Sequence, residues 1–316
     1  MIVDMPATST SQVSKKLVQL REQGGVLALG RVLTLVVVTD DTTSTENAIE
    51  SANAASRQHP CRVIVLVRGA RQAAARLDAQ IRVGGDAGAS EVIVLRGYGP
   101  QASAEAGASM AVPMLLPDAP VVAWWPNTAP AVPAHDPVGQ LTHRRITDAA
   151  AEKHPLRALE QRASNYVPGD SDLAWTRLTL WRALLAAALD QPPYEDVTSA
   201  DVDGEADSPS TDLLAGWLAS RLPVPVKRTK IGAAGGVHSV RLNRPSGPIE
   251  LIRPDAKIGS LTQPGQPQRR VTLQRRSLSD CLSEELRRLE PDEVYAEALA
   301  GMARVRRGRV PSGSRR

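Results

Sequence analysis

The chain has 316 residues, 42% of them hydrophobic but only 3% aromatic, and it contains no phenylalanine, so about two domains are expected, with cores of Leu, Val, Ile and Ala. The net charge of +4 belongs to one end: residues 304–316 carry six arginines and no acid, and the remainder has 32 basic against 34 acidic residues. A near-neutral body argues against an electrostatic nucleic-acid binder, and no apolar run is long enough to span a membrane.

Residues 1–30 read as a polar arm and a short helix, broken at Gly24-Gly25. The start, MIVDMPATSTSQVSKK, lacks the apolar stretch of a signal peptide, so a cytoplasmic protein is expected. Residues 33–38, LTLVVV, and 61–67, CRVIVLV, are continuous apolar runs of the kind that form strands buried on both faces. Between them Thr43 and Glu46 have capping-box spacing, and Ala48, Ile49, Ala52 and Ala55 give a helix one apolar stripe, so the three segments make a βαβ unit. Residues 78–95 suggest a hairpin with Gly84, Gly85 and Gly88 at its turn, followed by an alanine-rich helix over about 101–112. PVVAWW, 120–125, is another buried strand. Trp124 and Trp125 end it, pointing to opposite faces where ligand crevices open in such sheets. Two readings fit them: a binding surface, or plugs that close the two layers of the core.

Residues 126–141 are proline-rich and read as structureless, and 142–147 as one more short strand of the same sheet. The longest helix signal is 166–190, YVPGDSDLAWTRLTLWRALLAAALD. Asp170 or Ser171 can cap a helix there, with Asp172 in its first turn. Leu173, Ala174, Leu178, Trp181, Leu184, Leu185, Ala188 and Leu189 share its broad face, and Arg177 projects among them, where it needs a carboxylate. Trp175, Thr179, Arg182 and Ala186 form a second stripe, which reads either as further core or as a surface offered to another protein, since Trp and Arg are enriched at binding sites. Beyond it come a strand near 197–202, a helix over 212–221 capped by Ser210 or Thr211, and strand-like segments at 224–231, 237–242, 248–253 and 270–275. Ser277 and Asp280 start one more helix and Pro291-Asp292-Glu293 the last.

The chemistry is mostly negative. No G-x-G-x-x-G follows a strand, and there is no phosphate loop, nucleophile elbow or zinc-protease helix. The glycines of IGAAGG, 231–236, read as a hairpin turn between two strands. His59 and Cys61 flank Pro60, but two ligands do not make a metal site. Asp40 and Asp41 end a strand, where capping and loop solvation account for them as well as catalysis does. No catalytic, cofactor-binding or metal-binding residues are assigned, and no cofactor is expected.

Four segments, HPCRVIV at 59–65, LLPDAPVVAWWP at 115–126, RRITDAA at 144–150 and DLAWTRLTLWRALL at 172–185, together resemble the glucose-6-phosphate dehydrogenase assembly protein family, OpcA, from about Leu33 to about Ala300. The resemblance implies a non-enzymatic helper that binds glucose-6-phosphate dehydrogenase and promotes its active oligomer in the oxidative pentose phosphate pathway. The family motif carries over to Asp172, Trp175, Thr176, Arg177, Trp181, Arg182, Trp124 and Trp125; all but Trp181, core by its helical phase, are candidate interface residues, with Trp175 and Arg182 foremost. Cyanobacterial members link this control to thioredoxin, but here Cys61 and Cys281 fall in separate predicted domains without a C-x-x-C pair. The expected fold is α/β: a mostly parallel, Rossmann-like sheet over 31–160, then an α+β half over 161–303 with a long central helix and a mixed or antiparallel sheet. Residues 304–316 form a basic, disordered tail in this scheme. Two other functions stay open, a small-ligand sensor or enzyme using the strand ends near Asp40 and Trp124, and a weak nucleic-acid binder acting through the arginine tail.

Overall fold

The computed structural model describes residues 1–23, 31–40, 42–83, 91–232 and 235–308. In chain order the elements are β1 (Ile2–Met5), α1 (Thr10–Gln23), β2 (Leu33–Thr39), α2 (Thr42–Ser56), β3 (Cys61–Arg68), β4 (Arg76–Val83), β5 (Glu91–Tyr98), α3 (Ala104–Ala111), β6 (Val121–Trp124), β7 (Arg144–Thr147), α4 (Pro155–Ser164) and β8 (Asp170–Asp172). There follow α5 (Leu173–Thr176), α6 (Thr179–Leu189), β9 (Ser199–Glu205), α7 (Pro209–Arg221), β10 (Val226–Ile231), β11 (Val237–Asn243), β12 (Ile249–Ile252), β13 (Ile258–Thr262), β14 (Arg269–Thr272), α8 (Leu278–Glu285), α9 (Glu293–Gly301) and β15 (Arg306–Gly308). They form two units. The first holds residues 1–151, 167–171 and 278–291, and the second holds 152–166, 172–277 and 292–316.

The first unit is built on an eight-stranded sheet, β1-β4-β5-β3-β2-β6-β7-β8. Its parallel strands run β5-β3-β2-β6-β7, so by succession their order is 3-2-1-4-5, that of a Rossmann-like doubly wound sheet. The continuous apolar runs of β2 and β3 are buried throughout apart from the final Arg68, as strands covered on both faces require. On one face Val36, Val38, Ile64 and Leu66 meet Val13, Leu17 and Leu20 of α1 and Ala108, Met110 and Ala111 of α3. On the other, α2 packs on β2 and β3, and α8 packs on α2. The expected hairpin is present, β4 pairing antiparallel with β5, while its glycines lie outside the described residues, as do Gly24, Gly25 and Asp41. The first residues are not a free arm: β1 pairs antiparallel with β4 at the sheet edge.

Between β6 and β7 the sheet departs from the helical crossover rule. Residues 126–141, expected to be structureless, fold back over the sheet through two single turns, at Pro133–His135 and Gly139–Leu141. Val138 enters the core beside Trp125, and Arg68 reaches Asp136 at 3.9 Å. Gly139 is required, because a Cβ there would lie 1.8 Å from the carbonyl oxygen of Pro133. At the far edge the RRITD segment ties distant pieces together. Arg144 pairs with Glu285 at 2.5 Å and donates to the carbonyl of Glu290, Ser171 also donates to Glu285, and Arg145 pairs with Asp170.

The second unit holds a seven-stranded mixed sheet, β14-β13-β12-β11-β9-β10-β15. β9, α7 and β10 make a parallel βαβ unit, and β11 to β14 form an antiparallel meander. Sequence reading missed β13, and it misread the glycines at 231–236: β10 and β11 are not a hairpin but lie on opposite sides of β9. The amides of Gly235 and Gly236 donate to the Glu205 carboxylate at the end of β9 instead. Helix α7 starts earlier than expected, capped by Ser208, whose side chain accepts from the Thr211 amide. Arg228 of β10 is 1% exposed and donates to Asp212 and to the carbonyls of Gly204 and Glu205. The basic end does not begin as a disordered tail: residues 306–308 form β15, parallel to β10, and Arg307 lies 3.5 Å from Asp212. Residues 309–316 lie outside the described residues.

Candidate protein-binding site around the Trp175 helix

The stretch expected to be one long helix is three elements. Asp170, Ser171 and Asp172 make β8, and the helical residues then break at Arg177-Leu178 into α5 and α6. Neither Asp170 nor Ser171 caps, since both are engaged with Arg145 and Glu285. Asp172 is the cap, accepting from the Ala174 amide at 2.8 Å. The break is held by the Thr176 carbonyl, which takes hydrogen bonds from the Thr179 hydroxyl and from Arg276. Arg177 is half-buried at this point.

Trp175 is 1% exposed, so the stripe that helical phase offered as a surface is core at this residue. The phase argument assumed an unbroken helix and could not see the residues that close over the ring. Its indole N–H donates to Asp292 at 2.8 Å, and the other oxygen of the same carboxylate caps α9 by accepting from the Tyr295 amide. The Tyr295 ring lies 6.0 Å from that of Trp175 and 6.0 Å from that of Tyr166. The Arg182 guanidinium sits 3.7 Å from the centre of the Trp175 ring and donates to Thr179. Tyr166, Tyr295, Trp175 and Arg182 thus form one contiguous cluster, with Tyr166 edge-on to Tyr295 and Tyr295 tilted against Trp175. Trp181 is 2% exposed, as its phase predicts, with the Arg253 guanidinium 5.2 Å from its ring. Arg253 donates to the carbonyls of Leu273, Gly235 and Val237, and burial pulls its pKa below the usual arginine value.

Trp124 and Trp125 are both fully buried, so their rings are not presented at the strand ends either. Trp125 joins the α1–α3 face of the first core, which by strand alternation sends Trp124 to the other. Neither indole N–H has a hydrogen-bond partner among the described residues. Asp172 and Thr176 are buried as well, and Arg182 is half-buried. Of the seven candidates, the structure brings Asp172, Trp175, Thr176, Arg177 and Arg182 together around the α5–α6 break, while the β6 pair belongs to the first unit. Sequence reasoning missed Asp292 and Tyr295. Pro291-Asp292-Glu293 marks a helix start and Tyr295 falls on that helix's apolar stripe, and neither signal says anything of a tryptophan.

Arg182 ties α6 to this cluster, and α6 leaves an accessible arc of Leu180, Ala183, Ala186, Ala187 and Asp190. Cys61 and Cys281 are both buried free thiols and belong to the same unit, and burial pushes the Cys61 thiol up to about 12. Among the described residues no group of three His, Cys, Asp or Glu side chains could hold a metal, and no helix is long and apolar enough to cross a membrane.

Fold and site define a two-unit α/β protein with a Rossmann-like first sheet, whose large aromatic residues hold the fold. In the family of the glucose-6-phosphate dehydrogenase subunit, that of OpcA, the N-terminal domain matches residues 52–164 and the C-terminal domain matches residues 168–299. The chain belongs to this family. A protein of Synechococcus elongatus described as "Putative OxPP cycle protein OpcA" is 30% identical over 187 residues, which is 54% of this chain and 41% of that protein. The chain therefore matches less than half of that relative's length. Among solved structures, KijD10, a 3-ketoreductase from Actinomadura kijaniata, aligns at 8% identity over 88% of this chain and 99% of its own, with a TM-score of 0.45. An oxidoreductase from Sinorhizobium meliloti aligns at 11% identity over 87% and 95%, with a TM-score of 0.40.

Proposed function

We propose that the chain is a non-catalytic assembly factor, acting in the cytoplasm, that binds glucose-6-phosphate dehydrogenase and promotes its active oligomer in the oxidative pentose phosphate pathway. The observation that carries this reading is the match of both domains of the family, in order, over residues 52–164 and 168–299. The description of the cyanobacterial relative as an OxPP cycle protein supports the same pathway. Under this reading the buried residues Asp172, Trp175, Thr176, Trp124 and Trp125 serve binding indirectly, by keeping the fold that presents the contact surface. Arg177 and Arg182, the two that are only half-buried, are the family-motif side chains a partner reaches first.

The test is to mix the purified chain with purified dehydrogenase and follow both mass and rate. Co-elution as a larger assembly, with a raised dehydrogenase rate, is the expected result. The chain alone should not oxidise glucose 6-phosphate with either nicotinamide cofactor. Absence of co-elution together with an unchanged rate would overturn the proposal, as would turnover that scales with the concentration of this chain after removal of contaminating dehydrogenase.

A further inference from the structure

The outer arc of α6 is unusual for a surface helix. Its buried residues are Trp181, Leu185 and Ala188, and at about 100° per residue the opposite side carries Leu180, Ala183, Ala186, Ala187 and Asp190. No lysine or glutamate solvates this side, where an ordinary amphipathic helix would carry several. Leu180 is 39% exposed, and Tyr194, just beyond the helix, is 79% exposed. Three alanines on one arc let a second helix approach to roughly 8 Å between axes.

The charges indicate what covers it. Asp190 is the C-cap residue of α6 and is exposed, so its carboxylate stands at the negative end of the helix dipole. It has no side-chain hydrogen bond or ion pair among the described residues, and a cation brought there from outside would relieve it. Arg182 lies four residues before Ala186 and Asp190 four residues after it. When two copies of α6 lie antiparallel about a two-fold axis at Ala186, Arg182 of one copy comes beside the partner's Asp190, and the reverse pair forms at the other end. The same operation carries Leu180 toward the chain around Tyr194 of the second copy. One symmetric arrangement therefore covers the apolar arc and brings toward each Asp190 a guanidinium that keeps its place on Trp175 and Thr179. We propose that α6 is the contact helix of a two-fold symmetric dimer of this chain. A helix pair of this length is a small interface, below the roughly 1,200–2,000 Å² of tight complexes, so the pairing is concentration-dependent. The pairing engages Arg182, which the proposed function also offers to the dehydrogenase, so the two contacts compete for that side chain and self-association is read without the dehydrogenase.

The experiment uses the full chain without dehydrogenase. Mass measured against concentration should rise from monomer toward dimer. Ala186→Cys sits beside the two-fold axis and should yield a disulfide-linked dimer on mild oxidation, whereas Ser164→Cys, exposed at the end of α4, should not. Native Cys61 and Cys281 are fully buried and stay out of this reaction. Ala187→Glu and Asp190→Arg change exposed residues, so the melting temperature should hold while dimerisation weakens about tenfold or more. A chain that stays monomeric at all concentrations and does not cross-link through Ala186→Cys overturns the proposal, as does a dimer that persists unchanged in Ala187→Glu. Ala187→Glu losing dehydrogenase binding while self-association stays as in the parent chain would assign the arc to that partner instead.

Discussion

Two pairs of tryptophans are buried equally well and held differently. Trp124 ends β6 and Trp125 follows it, both with indole N–H groups unpartnered among the described residues. Trp175 and Trp181 sit in α5 and α6, each with a guanidinium over its ring, and Trp175 also donates to Asp292. That first pair fills volume on the two faces of a sheet already fixed by parallel pairing, so shape alone is asked of it. The helical pair flanks the α5–α6 break, where the backbone bonds from Arg177 to Leu173 and from Leu178 to Trp175 are joined by side-chain contacts that help to set the geometry. Burial shows where a tryptophan is. Its partners show what it does there.

Truncation should erase this contrast. Trp124→Ala and Trp181→Ala each empty a large buried volume and should cost roughly 3–5 kcal/mol, read from denaturant midpoints. Trp175→Ala belongs in the same range now that its ring is known to be 1% exposed, and a midpoint close to that of the parent would show that the cluster contributes little. Replacement by phenylalanine should sharpen the contrast. At Trp175 it removes the donor to Asp292 and should cost about 1–3 kcal/mol beyond the lost volume, because that carboxylate is left half-buried and short of a partner. At Trp124 no hydrogen bond is lost, so only the smaller ring counts; equal losses at the two sites would remove the distinction. Arg182→Ala is smaller again, about 0.5–2 kcal/mol for a cation resting on an aromatic face, and the effect should shrink when Trp175 is already replaced. The smallest signal concerns Cys61. With its thiol pushed up to about 12 by burial, it is protonated throughout the neutral range, and native protein should react with an alkylating reagent only as fast as it opens. Rapid labelling of Cys61 at pH 8 in folded protein would contradict this.

The legible part of the fold was the part in which neighbours in sequence share one environment. LTLVVV and CRVIVLV announce doubly covered strands because every residue in them is apolar or nearly so, and β2 and β3 are so covered. Asp170-Ser171-Asp172 gave no such sign, since what makes it a strand is Arg145 and Glu285 elsewhere in the chain. Helical periodicity runs straight through Thr176-Arg177-Leu178, so the break was invisible, and with it the closure of Tyr295 and Asp292 over Trp175. β15 was hidden by its own composition, because Arg306-Arg307-Gly308 has strand character only once β10 offers an edge. Residue types at the candidate site were readable early. Their exposure was not, since it depends on partners more than a hundred positions away.

The ion pair between Arg144 and Glu285 has a consequence for how the chain is made. The first unit is complete only when residues 278–291 join it, long after residue 151. On the ribosome that gap is roughly 140 residues, or about 7–30 s at ordinary rates of synthesis. During this interval Arg144 has emerged without its carboxylate and α2 without α8, so the nascent first unit exposes a face that its own chain later covers. Vectorial synthesis therefore gives this protein a waiting period, in which anything that holds that face in reserve competes with aggregation.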